Sequence, residues 1–333
     1  MAESIFEEGV TFATDEEIPG WMELVEIVKD DFPGLEKESY LKTLKKNIAR
    51  KTALCYKVKG LVVGILLFSP NQNCLSFIAV HPDYRCMGIA TKLIDKMLVL
   101  MPPYREISVT TFREGDEKGA APRKLYKKFG FEEAELLTEF GYPVQKFVLN
   151  PNNLECILGV KRTEVKLVPY REVYKLLFAY ESKKISDALG DNAIRIYHVG
   201  STAIEGAIAK PLPDIAVSVK DLSVIDVHAM ETLGYECKGE YGIPGRCYFV
   251  KRKDGDISTH HVHCFPEGHE NLVRQLVFRD YLNTHPKAVQ EYNQLKLSLF
   301  EKYPNERYKY TEGKSIFVMN IIQLALKDGF GPG

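Results

Sequence analysis

The N-terminal half is defined by the segment Ile78-Ala79-Val80-His81-Pro82-Asp83-Tyr84-Arg85-Cys86-Met87-Gly88-Ile89-Ala90-Thr91-Lys92-Leu93. An apolar strand leads through a proline turn into a loop, and the loop opens a helix. The small residues Gly88 and Ala90 let the backbone approach a ligand closely. Free N–H groups and the dipole at a helix start favour an anion such as a diphosphate, and Arg85 adds a cation. The same spacing also fits an ordinary strand–loop–helix unit.

A second motif follows further along, Leu125-Tyr126-Lys127-Lys128-Phe129-Gly130-Phe131. This motif and the pattern Arg85-x-x-Gly88-x-Ala90 closely resemble the two signatures of the GNAT N-acetyltransferase superfamily, in the family's order and at its usual separation. The resemblance covers about residues 10–148. It implies a mixed sheet with flanking helices, acetyl-CoA as the acyl donor and an amine as the acceptor.

The resemblance also implies roles for single positions. The backbone around Ile78 and Val80 would pair with the pantetheine arm as an added strand does. Tyr126 would stand near the CoA sulfur as general acid, although it also fits a core tyrosine on a helix. The pyrophosphate would lie against the side chain of Arg85 and the N–H groups of Cys86, Met87, Gly88, Ile89 and Ala90.

Two positions depart from the family pattern. Seven and four residues before Tyr126, where the family often has Asn and Ala, this chain has Gly119 and Pro122. Proline suits a first helical turn, so we expect the helix to begin late, at about Pro122, and an Asn contact to the cofactor to be absent.

The general base of the transfer is not evident. The candidate acids, each of which also fits a solvated surface charge, are Asp30, Asp31, Glu114 and Asp116. The first two follow the first predicted helix, where such folds usually place an acceptor loop. Acids there would suit a cationic amine.

The C-terminal half carries its own constellation. Gly200, Ser201 and Thr202 end one strand, and Lys210 precedes a second strand that begins at Asp214. Nucleotidyltransferase folds build a nucleotide site this way: the Gly-Ser turn donates to phosphate and carboxylates on the next strand hold Mg²⁺.

Further blocks make the match specific to one family. They are Gly242-Ile243-Pro244-Gly245-Arg246, His261-Val262-His263, Phe278-Arg279-Asp280-Tyr281-Leu282, Tyr292-x-x-Leu295-Lys296 and Tyr310-x-x-x-Lys314. Together they resemble the GrpB family over about residues 165–327. The resemblance implies a nucleotidyltransferase-like α/β fold and indicates fold more than function.

The catalytic acids of that fold are incomplete. Active nucleotidyltransferases usually carry Asp-x-Asp, whereas here Asp214 is followed at +2 by Ala216. His261 and His263 face one side of a strand. They could bind phosphate, or join Asp214 in a site for a divalent metal such as Mg²⁺ or Mn²⁺, although histidine suits Mn²⁺ or Zn²⁺ better than Mg²⁺. They also fit a polar strand without a metal. The cations Lys210, Arg246, Arg279 and Lys314 fit either an anion pocket or ordinary surface charge.

The composition is that of a globular protein. The chain has 333 residues, of which 45% are hydrophobic and 27% charged, with a net charge of -1. This balance argues against nucleic acid as a partner. We find no apolar run long enough for a membrane span and no signal peptide. The 7 scattered cysteines indicate reduced thiols and a cytoplasmic protein. Nothing in the sequence indicates the oligomeric state.

The turn formers Asn150-Pro151-Asn152-Asn153 indicate a boundary between two α/β domains. We expect the GNAT-like domain over residues 1–150, a connector over 151–163 and the GrpB-like domain over 164–333.

Two functions fit these observations. In the first, the protein is an N-acetyltransferase acting on the amine of a small molecule, with a GrpB-like domain that binds a nucleotide or phosphorylated ligand. Whether that domain transfers nucleotides stays open. In the second, the protein is an acetyl-CoA-binding sensor whose GrpB-like domain is a non-catalytic binding module.

Overall fold

The structure is a computed structural model that describes residues 8–331. The chain forms two compact units, which divide between Cys156 and Ile157. Both units combine a β-sheet with helices, so the predicted α/β class is confirmed for each. Among residues 8–331, no helix combines the length and the apolar character that crossing a membrane requires.

The first unit is built on a 7-stranded sheet in the order β1-β2-β3-β4-β5-β7-β6. The strands are β1 (Gly9–Phe12), β2 (Ala53–Val58), β3 (Leu61–Ser69), β4 (Cys74–Val80), β5 (Ile107–Phe112), β6 (Glu132–Glu139) and β7 (Tyr142–Leu149). The helices are α1 (Ile18–Val28), α2 (Lys37–Ala49), α3 (Ile89–Leu100) and α4 (Ala120–Lys128).

Strands β4 and β5 are parallel and separate almost at once. Their register holds a single pair, Cys74 with Ser108. On its other edge β4 pairs with β3 throughout, and Ile78 lies opposite Leu66. The edge of β4 that faces β5 is therefore unpaired at Ile78 and Val80, which opens a groove in the middle of the sheet.

The core of the first unit lies between α1, α2 and the sheet. Trp21, Leu24, Leu44 and Ile65 are almost fully buried in it. The sequence did not predict strand β6 (Glu132–Glu139), because half of its residues are glutamates and most of them are exposed. This strand lies at the edge of the sheet, where only one side is paired and an apolar pattern is not required.

Helix α4 begins earlier than expected. Gly119 caps it and Ala120 is its first residue, so Pro122 occupies the third helical position. The expectation of a start at Pro122 was wrong because proline costs nothing anywhere in the first turn, where N–H groups have no intrahelical partner.

The second unit contains a 6-stranded sheet with the path β11-β12-β13-β10-β9, and β8 pairs with β13. The strands are β8 (Val160–Lys161), β9 (Ala193–Val199), β10 (Asp214–Val219), β11 (Tyr235–Cys237), β12 (Cys247–Lys253) and β13 (Ile257–Pro266). The helices are α5 (Val173–Leu189), α6 (Val227–Thr232), α7 (Glu270–Thr284), α8 (Pro286–Lys302), α9 (Arg307–Glu312) and α10 (Ser315–Lys327).

Strands β10 and β13 are parallel neighbours in the centre of this sheet. Their register places Asp214 opposite His261 and Ala216 opposite His263. The apolar residues of both strands, such as Ile215 and Val262, are fully buried. The polar side chains at the start of β10 are thereby held on a rigid part of the fold.

Candidate functional site

The loop between β4 and α3 is shaped for an anion. Cys86 and Gly88 both have left-handed backbone, with φ of 64° and 79°. Gly88 begins helix α3 without a side-chain cap, and a Cβ built there would meet nothing within 4 Å. Successive N–H groups in such a turn, followed by an uncapped helix start, form a phosphate-binding concavity.

Arg85 lies at the rim of this loop but is not a free cation. Its Nε donates to the carbonyl of Val80 at 3.3 Å and its Nη2 to Oδ2 of Asp31 at 3.0 Å. The pair is about half exposed. Arg85 therefore ties the end of β4 to the loop after α1, and Asp31 is engaged in this pair.

Tyr126 lies in helix α4 and is only 2% exposed. Its ring packs against Phe131 and Phe147, with centroids 5.6 Å and 6.0 Å away. No residue in the described part of the chain hydrogen-bonds its hydroxyl. Burial raises the pKa of Tyr126, and the hydroxyl stays protonated at neutral pH.

Two half-buried carboxylates lie beyond the end of β5. Glu139 Oε2 accepts from Thr110 Oγ1 at 3.0 Å. Asp116 accepts one hydrogen bond from the Tyr142 hydroxyl at 2.6 Å. It accepts a second from the backbone N–H of Lys118, in the same turn. The Lys118 ammonium in turn donates to the carbonyl of Asp30. Sequence reasoning missed Glu139, since the exposed strand β6 that carries it shows no apolar alternation.

We expect Gly88→Val to weaken acetyl-CoA binding at least about tenfold. A β-branched residue in left-handed conformation costs roughly 1–2 kcal/mol, and its side chain would enter the anion loop. Isothermal calorimetry measures the affinity. Gly141→Val is the matched control, because Gly141 has a similar φ of +77° and equally open surroundings. Equal losses in both variants would contradict the assignment of this loop.

In the second unit, three titratable side chains converge at the start of β10. Asp214 Oδ1 lies 3.1 Å from His261 Nδ1 and 3.8 Å from His263 Nε2. Burial alone would raise the pKa of Asp214, but hydrogen bonds from His261 and His263 outweigh it and lower the pKa well below its usual range. Asp214 is therefore ionised.

Gly200 makes room for this carboxylate. Its φ of 70° and ψ of -172° lie in a region that only glycine occupies readily. A Cβ built at Gly200 would lie 2.5 Å from Oδ2 of Asp214. The Gly-Ser turn thus contacts Asp214 directly.

We expect Gly200→Ala to displace Asp214 and to destabilise the second unit by about 1–3 kcal/mol. The affinity of this unit for its ligand should fall together with its stability. Calorimetric unfolding measures the stability and ligand titration the affinity. Gly190→Ala is the control, since Gly190 also has positive φ but open surroundings. An unchanged affinity in Gly200→Ala would contradict a role for the Asp214 pocket.

The other residues that the sequence predicted for this pocket make contacts of different kinds. Ser201 Oγ lies 3.4 Å from the Tyr292 hydroxyl. Thr202 is buried and bonds His198 Nε2 at 2.9 Å. Arg279 donates to the carbonyl of His198 at 2.8 Å and pairs with its neighbour Asp280. Thr202 and Arg279 therefore make contacts around His198 that hold the fold.

Cations gather near Asp214. Burial and the charges of Arg307 and Lys314 lower the pKa of Lys210 to about 7, against the attraction of Asp214. In the described part of the chain, none of these three cations has a carboxylate within salt-bridge distance. Lys296 is 1% exposed and donates to the carbonyl of Ile208. Sequence reasoning missed Arg307, since its position near Lys210 depends on the packing of α9.

The distances among Asp214, His261 and His263 suit a metal ion, with all three donor atoms within 4.8 Å of one another. The donor and acceptor roles of the histidine nitrogens do not suit a metal ion. Arg246 Nη1 lies 3.2 Å from His263 Nδ1, and a guanidinium can only donate. A metal-bound histidine instead donates its second N–H to an acceptor. The cluster as built does not fit a metal.

Two protein families match the chain. Residues 164–324 match the GrpB protein family and residues 21–131 match the Acetyltransferase (GNAT) family. The UPF0157 protein YqkA of Bacillus subtilis is 30% identical over 308 residues, which cover 91% of this chain and 84% of that protein. The chain belongs to the GrpB (UPF0157) family. Both resemblances predicted from the sequence are confirmed.

Other GrpB relatives match the second unit alone. The glutamate-rich protein GrpB of Alkalihalophilus pseudofirmus is 36% identical over 171 residues, which cover 50% of this chain and 98% of that protein. A crystal structure of GrpB from Enterococcus faecalis is 31% identical and covers 49% of this chain and 98% of its own, with a TM-score of 0.46. The match over residues 21–131 adds a GNAT domain, whose general chemistry is acyl transfer.

Proposed function

We propose that the protein is an acetyl-CoA-dependent N-acetyltransferase that acts on the amine of a small molecule. The observation that carries the proposal is the groove at Ile78 and Val80, with the anion loop of Cys86 and Gly88 at its end. The unpaired edge of β4 offers backbone groups to the pantetheine amides, and the loop offers N–H groups to the pyrophosphate.

Tyr126 serves as general acid in this proposal. When bound, acetyl-CoA supplies the acetyl group as an activated thioester. The amine nitrogen bonds to the carbonyl carbon, the C–S bond breaks, and the Tyr126 hydroxyl donates its proton to the departing thiolate.

Glu139 is the proposed proton acceptor. Its carboxylate is half buried and bound by one hydroxyl donor, that of Thr110, whereas Asp116 already accepts from two groups. Glu139 therefore has more acceptor capacity left for an incoming amine. A carboxylate here also attracts an amine that arrives protonated, and takes the proton that the nitrogen must lose.

Glu139→Gln should lower kcat about 100-fold at neutral pH and less at high pH, where the amine is already neutral. Asp116→Asn is the comparison variant and should retain most activity. Steady-state rates between pH 6 and pH 10 distinguish the two. A flat, wild-type profile for Glu139→Gln would exclude it as the base.

The second unit is proposed to bind a nucleotide or another phosphorylated ligand. Lys210, Arg307 and Lys314 form no ion pair with a described carboxylate, and the charges of Arg307, Lys314 and Asp214 all act on Lys210. Such cations are stable in a half-buried position when an anion joins them.

The direct test is thiol release from acetyl-CoA against amino acids, polyamines, aminoglycosides, nucleosides and peptides, each with and without ATP and Mn²⁺. Release with one amine class is the expected result. Acetyl-CoA binding by calorimetry without release for any amine would favour the sensor. Release that rises with nucleotide would couple the two units.

A further inference from the structure

Arg246 fixes the direction of hydrogen bonding in the Asp214 cluster. It is 7% exposed, and its guanidinium donates to the carbonyl of Glu240 at 3.2 Å and 3.0 Å and to the carbonyl of Tyr241 at 2.8 Å. These bonds leave Nη1 aimed at His263 Nδ1, 3.2 Å away. Because Arg246 cannot turn away, Nδ1 of His263 must accept, and the proton of the neutral ring lies on Nε2.

The position of this proton sets the hydrogen-bond roles of the other groups in the cluster. His263 Nε2–H faces Asp214 Oδ1, and His261 Nδ1–H faces the same oxygen at 3.1 Å. The carboxylate therefore has protein donors in place of a cation. Nε2 of His261 is left as a lone pair, and no residue in the described ranges donates to it. Burial lowers the pKa of His261, which keeps this nitrogen unprotonated.

Arg307 connects this lone pair to the group of cations. Its charge lowers the pKa of both His261 and Lys210. The charge of Lys314 lowers the pKa of Lys210 as well. An open hydrogen-bond acceptor and three cations, none ion-paired with a carboxylate in the described ranges, are thus linked electrostatically. A ligand that engages the cations and the acceptor together must carry a phosphate, which pairs with the cations, and a hydroxyl group, which donates to the acceptor.

We propose that the second site binds a phosphorylated sugar or nucleotide without a metal ion, and that His261 Nε2 accepts a hydrogen bond from a hydroxyl group of that ligand. This inference rests on the proposed ligand-binding function of the second unit. Ala216 in place of a second acid agrees with it, since the site lacks the carboxylate pair that holds two metals. Arg246 acts here as a positioning residue.

The experiment uses the full chain after dialysis against chelator. Calorimetry with Mn²⁺ alone, Zn²⁺ alone, inorganic phosphate and AMP measures binding, and the last two are repeated with Mn²⁺. Metal-free protein should bind AMP and phosphate, and Mn²⁺ should change these affinities less than about twofold. Lys210→Met and Arg307→Met should each weaken both ligands about tenfold. Lys309→Met, on the same helix as Arg307 but ion-paired with Glu306, is the control.

Two variants test the hydrogen-bond directions. His261→Phe should weaken AMP about tenfold and leave inorganic phosphate unchanged, because only AMP carries sugar hydroxyl groups that lie away from the phosphate. Arg246→Met should allow His263 to bind through Nε2, and Mn²⁺ or Zn²⁺ affinity should rise at least tenfold. In ¹⁵N NMR of the wild type, which needs no variant to fold, His263 should carry its proton on Nε2.

Stoichiometric Mn²⁺ or Zn²⁺ binding by the wild type, or a His263 proton on Nδ1, would overturn this inference. AMP binding that requires Mn²⁺ would overturn it but leave the proposed ligand-binding function standing. Absence of AMP and phosphate binding both with and without Mn²⁺ would overturn the two together. None of these outcomes bears on acetyl transfer by the first unit.

Discussion

Tyr126→Phe is expected to lower kcat for acetyl transfer by about 10²- to 10⁴-fold, the range that a positioned general acid supplies. Acetyl-CoA affinity should change little, because the hydroxyl has no hydrogen-bond partner in the described structure to lose. The ring contacts with Phe131 and Phe147 are kept in the variant. Thiol-release kinetics give kcat, and calorimetry gives the dissociation constant.

The matched control is Tyr40→Phe. Tyr40 lies in the same unit and its hydroxyl accepts from Trp21 Nε1 at 3.0 Å. Its removal should cost about 1 kcal/mol of stability and leave kcat unchanged. A Tyr126→Phe enzyme with wild-type kcat would remove the acid role from Tyr126, although not acetyl transfer from the protein.

Glu181→Ala is expected to destabilise the second unit by about 3–5 kcal/mol, the usual cost of removing one member of a buried ion cluster. Glu181 is 1% exposed and lies 3.0 Å from Lys251 Nζ and 3.1 Å from Lys184 Nζ. The Tyr235 hydroxyl donates to it at 2.9 Å. Without the carboxylate, the two partly buried lysines would lose their compensating charge.

The ionisation of Glu181 makes the stability of the second unit depend on pH. Burial would raise the pKa of Glu181, but the charges of His260, Lys251 and Lys184 and a hydrogen bond from Lys251 lower it from 4.5 to about 2. A depressed folded-state pKa means that the contribution, about 3 kcal/mol, is complete well above pH 4.5 and is lost as the pH falls toward 2. Glu181→Ala should flatten this acid dependence.

Calorimetric unfolding between pH 3 and pH 7 measures both effects. Trp21, the single tryptophan, lies in the core of the first unit, so its fluorescence follows that unit alone. We expect the tryptophan transition to stay in place while the second transition shifts. Glu231→Ala is the control, since its carboxylate is about half exposed at the surface. An equal loss in both variants would contradict the buried-cluster account.

Much of the fold could be predicted because its signals are local. The loop before α3 and the strand that begins at Asp214 agree with the structure. Each is set by apolar spacing, proline and glycine within a few residues. The sequence did not predict edge strand β6 or helix α10, because neither shows such a pattern. Half of the residues of β6 are charged, and much of α10 is exposed.

The sequence alone determined which chemical groups this protein carries: the anion loop, Tyr126, and Asp214 with two histidines. Only the tertiary structure decided what those groups can do. Strands β4 and β5 separate after one residue pair, which no spacing reveals. Glu139 meets Thr110 from 29 residues away, and Arg246 reaches His263 from 17 residues away. The position of a proton on a histidine depends on which donor or acceptor faces it, and that is a property of packing across the fold.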